Sequence, residues 1–220
     1  MNNERPLTLI TGASGKTGSR LAAQLQKHKY PVRLAGRKQF SSVDSRGDYV
    51  YFDWYDPGTY GAALKHVTQI YLVVPGPHRQ TIADSGKIYS ATGEGKIGFV
   101  SADDIAAVAF HTLTDAVPHN TDHIITGPDS LSYAEVAETV SELWNQPIQH
   151  ESISEEILRN QMVEAGMPEE YATLLAGLDT FIKEQGSEDQ VTDTVQRITG
   201  NPPLSLHSFF SAQTNTQLHE

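Results

Sequence analysis

Short apolar runs alternate along this chain with stretches whose apolar residues recur every three or four positions. That is the pattern of a parallel α/β sheet. Residues 7–11 form an apolar, β-branched run that predicts a first strand, and residues 16–29 predict a helix with Leu21, Ala22 and Leu25 on one face. Further strands are predicted at 32–35, 49–52 and 69–74, with a loop across 36–48. Asp56-Pro57 opens a helix before the fourth strand, with Pro57 in the first turn, where its missing N–H costs nothing. Pro75-Gly76-Pro77 then stops the strand.

Beyond residue 77 the pattern changes. Between Pro75 and Lys87 there is room for one short helix, too little for another βαβ unit of roughly 30 residues. A Thr92-Gly-Glu-Gly95 turn follows, then an apolar run at 97–100, a helix at 102–114 and a strand at 122–126. Ser132-Tyr-Ala-Glu135 is a capping box opening a helix through Trp144. Residues 154–199 read as helical apart from breaks at 166–168 and 186–189, and the chain past Gln213 has no apolar period. The expectation is an α/β fold with a shortened, Rossmann-like parallel sheet in three layers. Residues 1–75 would form its nucleotide-binding half, and 76–220 the rest of the sheet and a mostly helical substrate region.

The first strand ends in Thr11-Gly-Ala-Ser-Gly-Lys-Thr-Gly18. A strand turning through glycines into a helix N-terminus gathers free N–H groups and a positive dipole end, a seat for a pyrophosphate. The spacing G-x-x-G-x-x-G is wider than the usual dinucleotide fingerprint, but its place in the first βα turn supports that reading. A nucleotide-triphosphate loop would need glycine five positions before Gly15-Lys16-Thr17, where this chain has Ile10. At the end of the second strand, NAD-binding chains place a carboxylate for the ribose 2′-OH. Here the residues are Arg37 and Lys38, which suit a 2′-phosphate, so NADP(H) is the expected cofactor. Asp53 and Trp54, after the third strand, stand where an adenine would be met; Trp54 fits a packing role equally well.

Composition narrows the chemistry. The chain of 220 residues has a formal net charge of −11 and no cysteine, which excludes disulfide and thiolate chemistry. No signal pattern or membrane span is read from the sequence, so a cytoplasmic location is expected. Residues 1–75 carry ten Lys/Arg against five acids, whereas 76–220 carry six against 22. The basic first part suits a phosphorylated ligand, while the acidic remainder argues against nucleic acid and fits a cationic substrate as well as simple solvated helix faces. No metal site is expected, because His119 and His123 flank a loop without a third ligand at recognisable spacing. None of the nine tyrosines has Lys four positions later, so the Tyr-x-x-x-Lys proton donor of common short-chain reductases is missing. A substrate already cationic at the acceptor carbon, such as an iminium, needs no such donor. No catalytic residue is assigned.

These features resemble the NmrA-like atypical short-chain dehydrogenases, and within them the fungal ergot-alkaloid festuclavine and agroclavine dehydrogenases. The likeness rests on Gly15-Lys-Thr-Gly-Ser-Arg20, Phe52-Asp-Trp54, Tyr71-Leu-Val-Val-Pro75, Lys87-Ile-Tyr-Ser-Ala-Thr-Gly-Glu-Gly-Lys-Ile97 and Phe99-Val-Ser-Ala-Asp-Asp-Ile-Ala-Ala-Val-Ala109. It continues through His119-Asn-Thr-Asp-His123, Gly127-Pro128 and Ala165-Gly-Met-Pro-Glu-Glu-Tyr171. The resemblance implies NADPH as hydride donor and reduction of an iminium derived from chanoclavine-I aldehyde to a clavine. It also implies that Gly12, Ser14, Gly15, Lys16, Thr17 and Gly18 hold the pyrophosphate, Arg37 and Lys38 the 2′-phosphate region, and Asp53 and Trp54 the adenine side. Family members carry two more sheet strands between the segments matching Tyr71–Pro75 and Lys87–Ile97, bordering the nicotinamide; this chain lacks them. An uncovered parallel edge favours a homo- or hetero-oligomer. A non-catalytic NADP-binding regulator and an inactive truncated paralogue are the alternative readings.

Overall fold

The computed structural model describes residues 5–37, 48–73 and 85–217, with side chains to residue 211. Lys38 and residues 74–77 lie outside the described residues. The chain divides into two compact units, one of 1–75 with 102–122 and one of 76–101 with 123–220.

The first unit is built on four parallel strands: β1 (Thr8–Thr11), β2 (Val32–Gly36), β3 (Asp48–Tyr51) and β4 (Gln69–Tyr71), in the order β3-β2-β1-β4. Thr8 pairs with Val32 on one side and Gln69 on the other. Alternate side chains of each strand enter opposite layers. Ile10, Val32 and Leu34 pack beneath helices α1 (Lys16–Lys27) and α3 (Ala102–Thr114), against Leu21, Leu25, Ala106 and Ala109. On the other face Leu9 and Ala35 meet Phe52 and Ala63, the latter on the short helix α2 (Tyr60–Leu64). Strands covered on both faces explain why β1 and β2 read as near-continuous apolar runs. The expected division at residue 75 is therefore amended. Helix α3 returns to the first unit because its small Ala106 and Ala109 let it close on α1, an approach that Arg20 pins with a 2.7 Å ion pair to Asp103.

Among the described residues, the strands of the second unit pair with one another. Strand β5 (Lys87–Ser90) pairs in parallel with β8 (Gln149–Ser152), a strand the sequence reading missed because its pattern is polar at most positions. Strand β6 (Lys96–Ile97) pairs antiparallel with β7 (Leu131–Ser132). Residues 122–126, expected to be a strand, are irregular. Their polar contacts go instead to one side chain and its amide, since Thr192 Oγ1 donates to the Ile124 carbonyl at 2.8 Å and the Thr192 N–H to Thr126 Oγ1 at 2.9 Å. Helices α4 (Tyr133–Trp144), α5 (Glu155–Glu164), α6 (Glu169–Gln185) and α7 (Thr194–Thr199) confirm the helical reading, although the second break reaches Asp193. Helix α8 (Leu206–Gln217) continues past Gln213, where the sequence has no apolar period.

The predicted capping box is present. Ser132 Oγ accepts from the Glu135 N–H at 3.2 Å, and the Glu135 carboxylate accepts from the Ser132 N–H at 2.7 Å. That backbone donor and the Lys96 ammonium hold the Glu135 carboxyl below its ordinary pKa of 4.5. The stabilisation is therefore present above that value and is lost as the pH falls through the lower, folded one. Ser132→Ala should cost about 1 kcal/mol in denaturant melts at neutral pH. For Glu135→Gln the loss seen at pH 7 should shrink towards pH 3; a pH-independent loss would count against the carboxylate as the capping group.

Candidate functional site

At the carboxyl end of β1 the chain turns through Gly12, which has φ +60°, in the left-handed region that favours glycine. The Gly15 N–H closes this turn on the Gly12 carbonyl at 2.8 Å. Helix α1 then starts with Gly15 as its N-cap, with no side chain capping it and no acidic residue in its first turn. The first helical amide bond runs from Ser19 to the Gly15 carbonyl. The amides of Lys16, Thr17 and Gly18 thus have no acceptor among the described residues, at the positive end of the helix dipole. Gly18 itself is buried, and a Cβ placed on it would lie 2.4 Å from the Gly12 carbonyl oxygen. The helix can approach the turn this closely only without a side chain there.

Beneath the loop lies Thr11, a residue the sequence reading passed over. It is 1% exposed, and its hydroxyl accepts from the Val73 N–H at 2.7 Å. The bond ties the loop's base to the end of β4, next to the Val73 side chain that Gly12 faces. The signal available in sequence was a threonine placed directly before the first glycine, on a strand otherwise buried.

Arg37 stands exposed just past β2, without an ion pair among the described residues. Arg33, by contrast, is bound to the Asp48 carboxylate at 2.7 Å and to the Ala63 and Lys65 carbonyls, so it is structural. Asp53 uses one carboxylate oxygen to accept from the Tyr55 N–H at 3.0 Å. Trp54 stands edge-on to Phe52, with ring centroids 5.1 Å apart, and its carbonyl accepts from the Tyr60 hydroxyl. Its contacts are those of a packing anchor at the rim of the second apolar cluster.

Two other clusters have catalytic residue types but structural surroundings. Asp115 accepts from, or is bridged by, His111 at 3.2 Å and His119 at 3.0 Å, and these hydrogen bonds hold its carboxyl below the ordinary range. Among the described residues no group of three potential ligands could hold a metal ion. In the second unit Ser90 Oγ lies 2.8 Å from His150 Nε2 and 2.9 Å from Thr92 Oγ1. Ser90 is 2% exposed and so out of reach of a substrate, and burial pushes the His150 imidazole below its ordinary pKa. The His150 contribution to stability is thus complete above 6.5 and declines on acidification below it. His150→Gln should flatten the fall in Tm between pH 7 and pH 5; an unchanged slope would remove the assignment.

The chain is 36% identical over 279 aligned positions to the oxidoreductase YesF of Bacillus subtilis, covering 96% of each. The chain belongs to the NmrA-like, NAD(P)-dependent oxidoreductases. It is 40% identical to festuclavine synthase I of Penicillium roqueforti over 70% of this chain and 53% of that one. With agroclavine dehydrogenase of Claviceps fusiformis it shares 38% identity over 63% of this chain. The chain spans about half the length of these ergot-alkaloid relatives, 53% and 47%. No family model matches. Among solved structures it is similar to the Escherichia coli NADPH-dependent quinone oxidoreductase QOR2, with TM-score 0.70 and 17% identity over 94% of this chain and 100% of that one. The Citrobacter triphenylmethane reductase solved with NADP(H) follows with TM-score 0.65 and 18% identity over 94% and 99%. Likeness at these identities establishes the Rossmann-like fold. Among the described residues, no helix is long and apolar enough to cross a membrane.

Proposed function

We propose that this protein is an NADPH-dependent reductase of a carbon–nitrogen double bond, taking a cationic iminium of the clavine type as substrate. The observation that carries the cofactor assignment is the loop at Gly12–Gly18. The loop fits a diphosphate, because the amides of Lys16, Thr17 and Gly18 have no acceptor among the described residues and glycine at position 18 lets the helix N-terminus close against the turn. Ser14, Gly15 and Lys16 are exposed beside it, so the ammonium of Lys16 is available as a counter-charge. Arg37, with Lys38 next to it in sequence, would take the 2′-phosphate. Asp53 retains a carboxylate oxygen for the adenine amine, while Trp54 supports that side by packing.

When bound, NADPH supplies a hydride, which adds to the iminium carbon. Hydride addition to a cationic iminium would give a neutral amine with no proton required. The missing Tyr-x-x-x-Lys arrangement is coherent with that balance. The substrate class is supported by the partial likeness to festuclavine and agroclavine enzymes. We further propose that the segment bordering the nicotinamide in those relatives is absent here between Pro75 and Lys87. An alignment of 279 positions, longer than the 220-residue chain, supports this. On this reading the chain works in the cytoplasm on a small molecule, not a nucleic acid, and a second chain completes the reaction end.

NADPH fluorescence titration followed by absorbance with chanoclavine-I aldehyde tests both parts. Binding together with NADPH consumption, either alone or after adding a full-length relative that is itself disabled in its glycine loop, is the expected result. Binding without turnover in either mixture would sink the reductase reading and leave a nucleotide-binding protein. No binding at all would sink the cofactor site as well.

A further inference from the structure

Helix α6 carries an apolar stripe that the second unit leaves uncovered. Its buried face is made of Ala172, Ala176 and Ile182. Leu174, Leu178 and Phe181 point elsewhere and are 59%, 51% and 54% exposed. Their spacing of four and then three positions, continued at one end by Tyr171, is that of a seam made to receive another helix. Most exposed large apolar residues are scattered singly, whereas these three are contiguous along about two turns.

The charge around the stripe selects the partner. At 100° per residue, Glu170 and Glu184 fall on its solvent flank, and both are exposed without an ion pair among the described residues. From residue 155 to 190 there are nine acids and only two bases, Arg159 and Lys183. Arg159 already neighbours Glu169 at 4.0 Å, and the Lys183 stem lies against the position of Gly93, away from the stripe. A second copy of this helix packed antiparallel would set Glu170 near the partner's Glu184, like charge on like charge. The opposite charge pattern removes that conflict.

We propose that the Leu174–Leu178–Phe181 face of α6 docks a cationic amphipathic helix of another protein. Apolar side chains spaced as i, i+4, i+7 on that helix enter between Leu174, Leu178 and Phe181. Lysines or arginines along one flank face Glu170 and Glu184. The apolar contact supplies the register and the carboxylates supply orientation and speed of encounter.

The test uses the whole chain and a synthetic helical peptide of roughly 18 residues, long enough to span the stripe. The peptide has leucines at i, i+4, i+7 and i+11 and lysines flanking them; a second peptide has the same composition with the leucines scattered. Fluorescence anisotropy should show the patterned peptide binding at least about tenfold tighter than the scattered one. Leu178→Ser and Phe181→Ser, both at exposed positions, should each abolish that preference while circular dichroism stays unchanged. Glu170→Lys with Glu184→Lys should weaken the patterned peptide, and added salt should do the same in the unmodified chain. Equal affinity for the two peptides would reduce the face to unspecific charge and overturn the proposal. Sedimentation as a dimer that Phe181→Ser makes monomeric would also overturn it, because the occupant would then be a second copy.

Discussion

Gly18→Ala should disable the nucleotide loop and weaken the fold at once. The new methyl would sit 2.4 Å from the Gly12 carbonyl oxygen, 3.0 Å from that carbonyl carbon and 3.1 Å from the Ala13 Cα. All three are backbone atoms, so no side chain can rotate out of the way. Helix α1 must slide away from the turn or Gly12 must leave its left-handed conformation. Overpacking of this kind costs about 1–3 kcal/mol. The same displacement moves the amides of Lys16, Thr17 and Gly18 away from the diphosphate, so NADPH affinity should fall by more than about tenfold. Two companions separate the causes. Gly15→Ala brings its methyl to 3.0 Å from the same oxygen and should do less harm. Gly61→Ala, on α2 with nothing within 4 Å of the added carbon, should be neutral or stabilise by about 0.5–1 kcal/mol, through helix propensity. Denaturant melts paired with NADPH titration would read all three. A Gly18→Ala protein that binds NADPH normally would remove the loop from the site.

The legible part of this molecule is the part whose constraints are local. β1, the glycine turn and α1 are adjacent in sequence, and each announces itself by period, by glycine or by a cap. The α3 boundaries, Ala102 to Thr114, and the capping box at Ser132 were readable for the same reason. What was not legible depends on distant partners. The strand at Gln149–Ser152 has a sequence of Gln-His-Glu-Ser, and it becomes a strand because β5 offers it a ladder some sixty residues away. Residues 122–126 have strand composition, yet Thr192 supplies their hydrogen bonds from another segment and no ladder forms. Helix α3 joins the first unit through Ala106 and Ala109, small residues that carry no address in the sequence. Within the candidate site, the glycines were readable because they are backbone requirements. Thr11 was not, since its importance comes from the N–H of Val73, sixty-two positions further on.

Arg37→Ala should separate the two nicotinamide cofactors. The side chain is exposed past the end of β2 and has no ion pair among the described residues, so its removal leaves no buried group unsatisfied and should not move Tm. A hydrogen bond to a charged group contributes about 1.5–3 kcal/mol, which corresponds to a loss of roughly tenfold to hundredfold in NADPH affinity. NADH lacks the 2′-phosphate and should bind the variant as it binds the original chain. Adding Lys38→Ala should deepen the NADPH loss without touching NADH, because the proposed function has both cations serving one phosphoryl group. The preference should also weaken on acidification. The dianion of a phosphate monoester takes up one proton near pH 6, so below that value the ligand presents less charge to Arg37 while the guanidinium stays charged. Raised salt should erode NADPH binding faster than NADH binding, for the same reason. Competition titrations of the two nucleotides across pH 5.5 to 8 would decide it. Parallel losses for NADPH and NADH would place Arg37 outside the cofactor site and leave the choice of nucleotide to other residues.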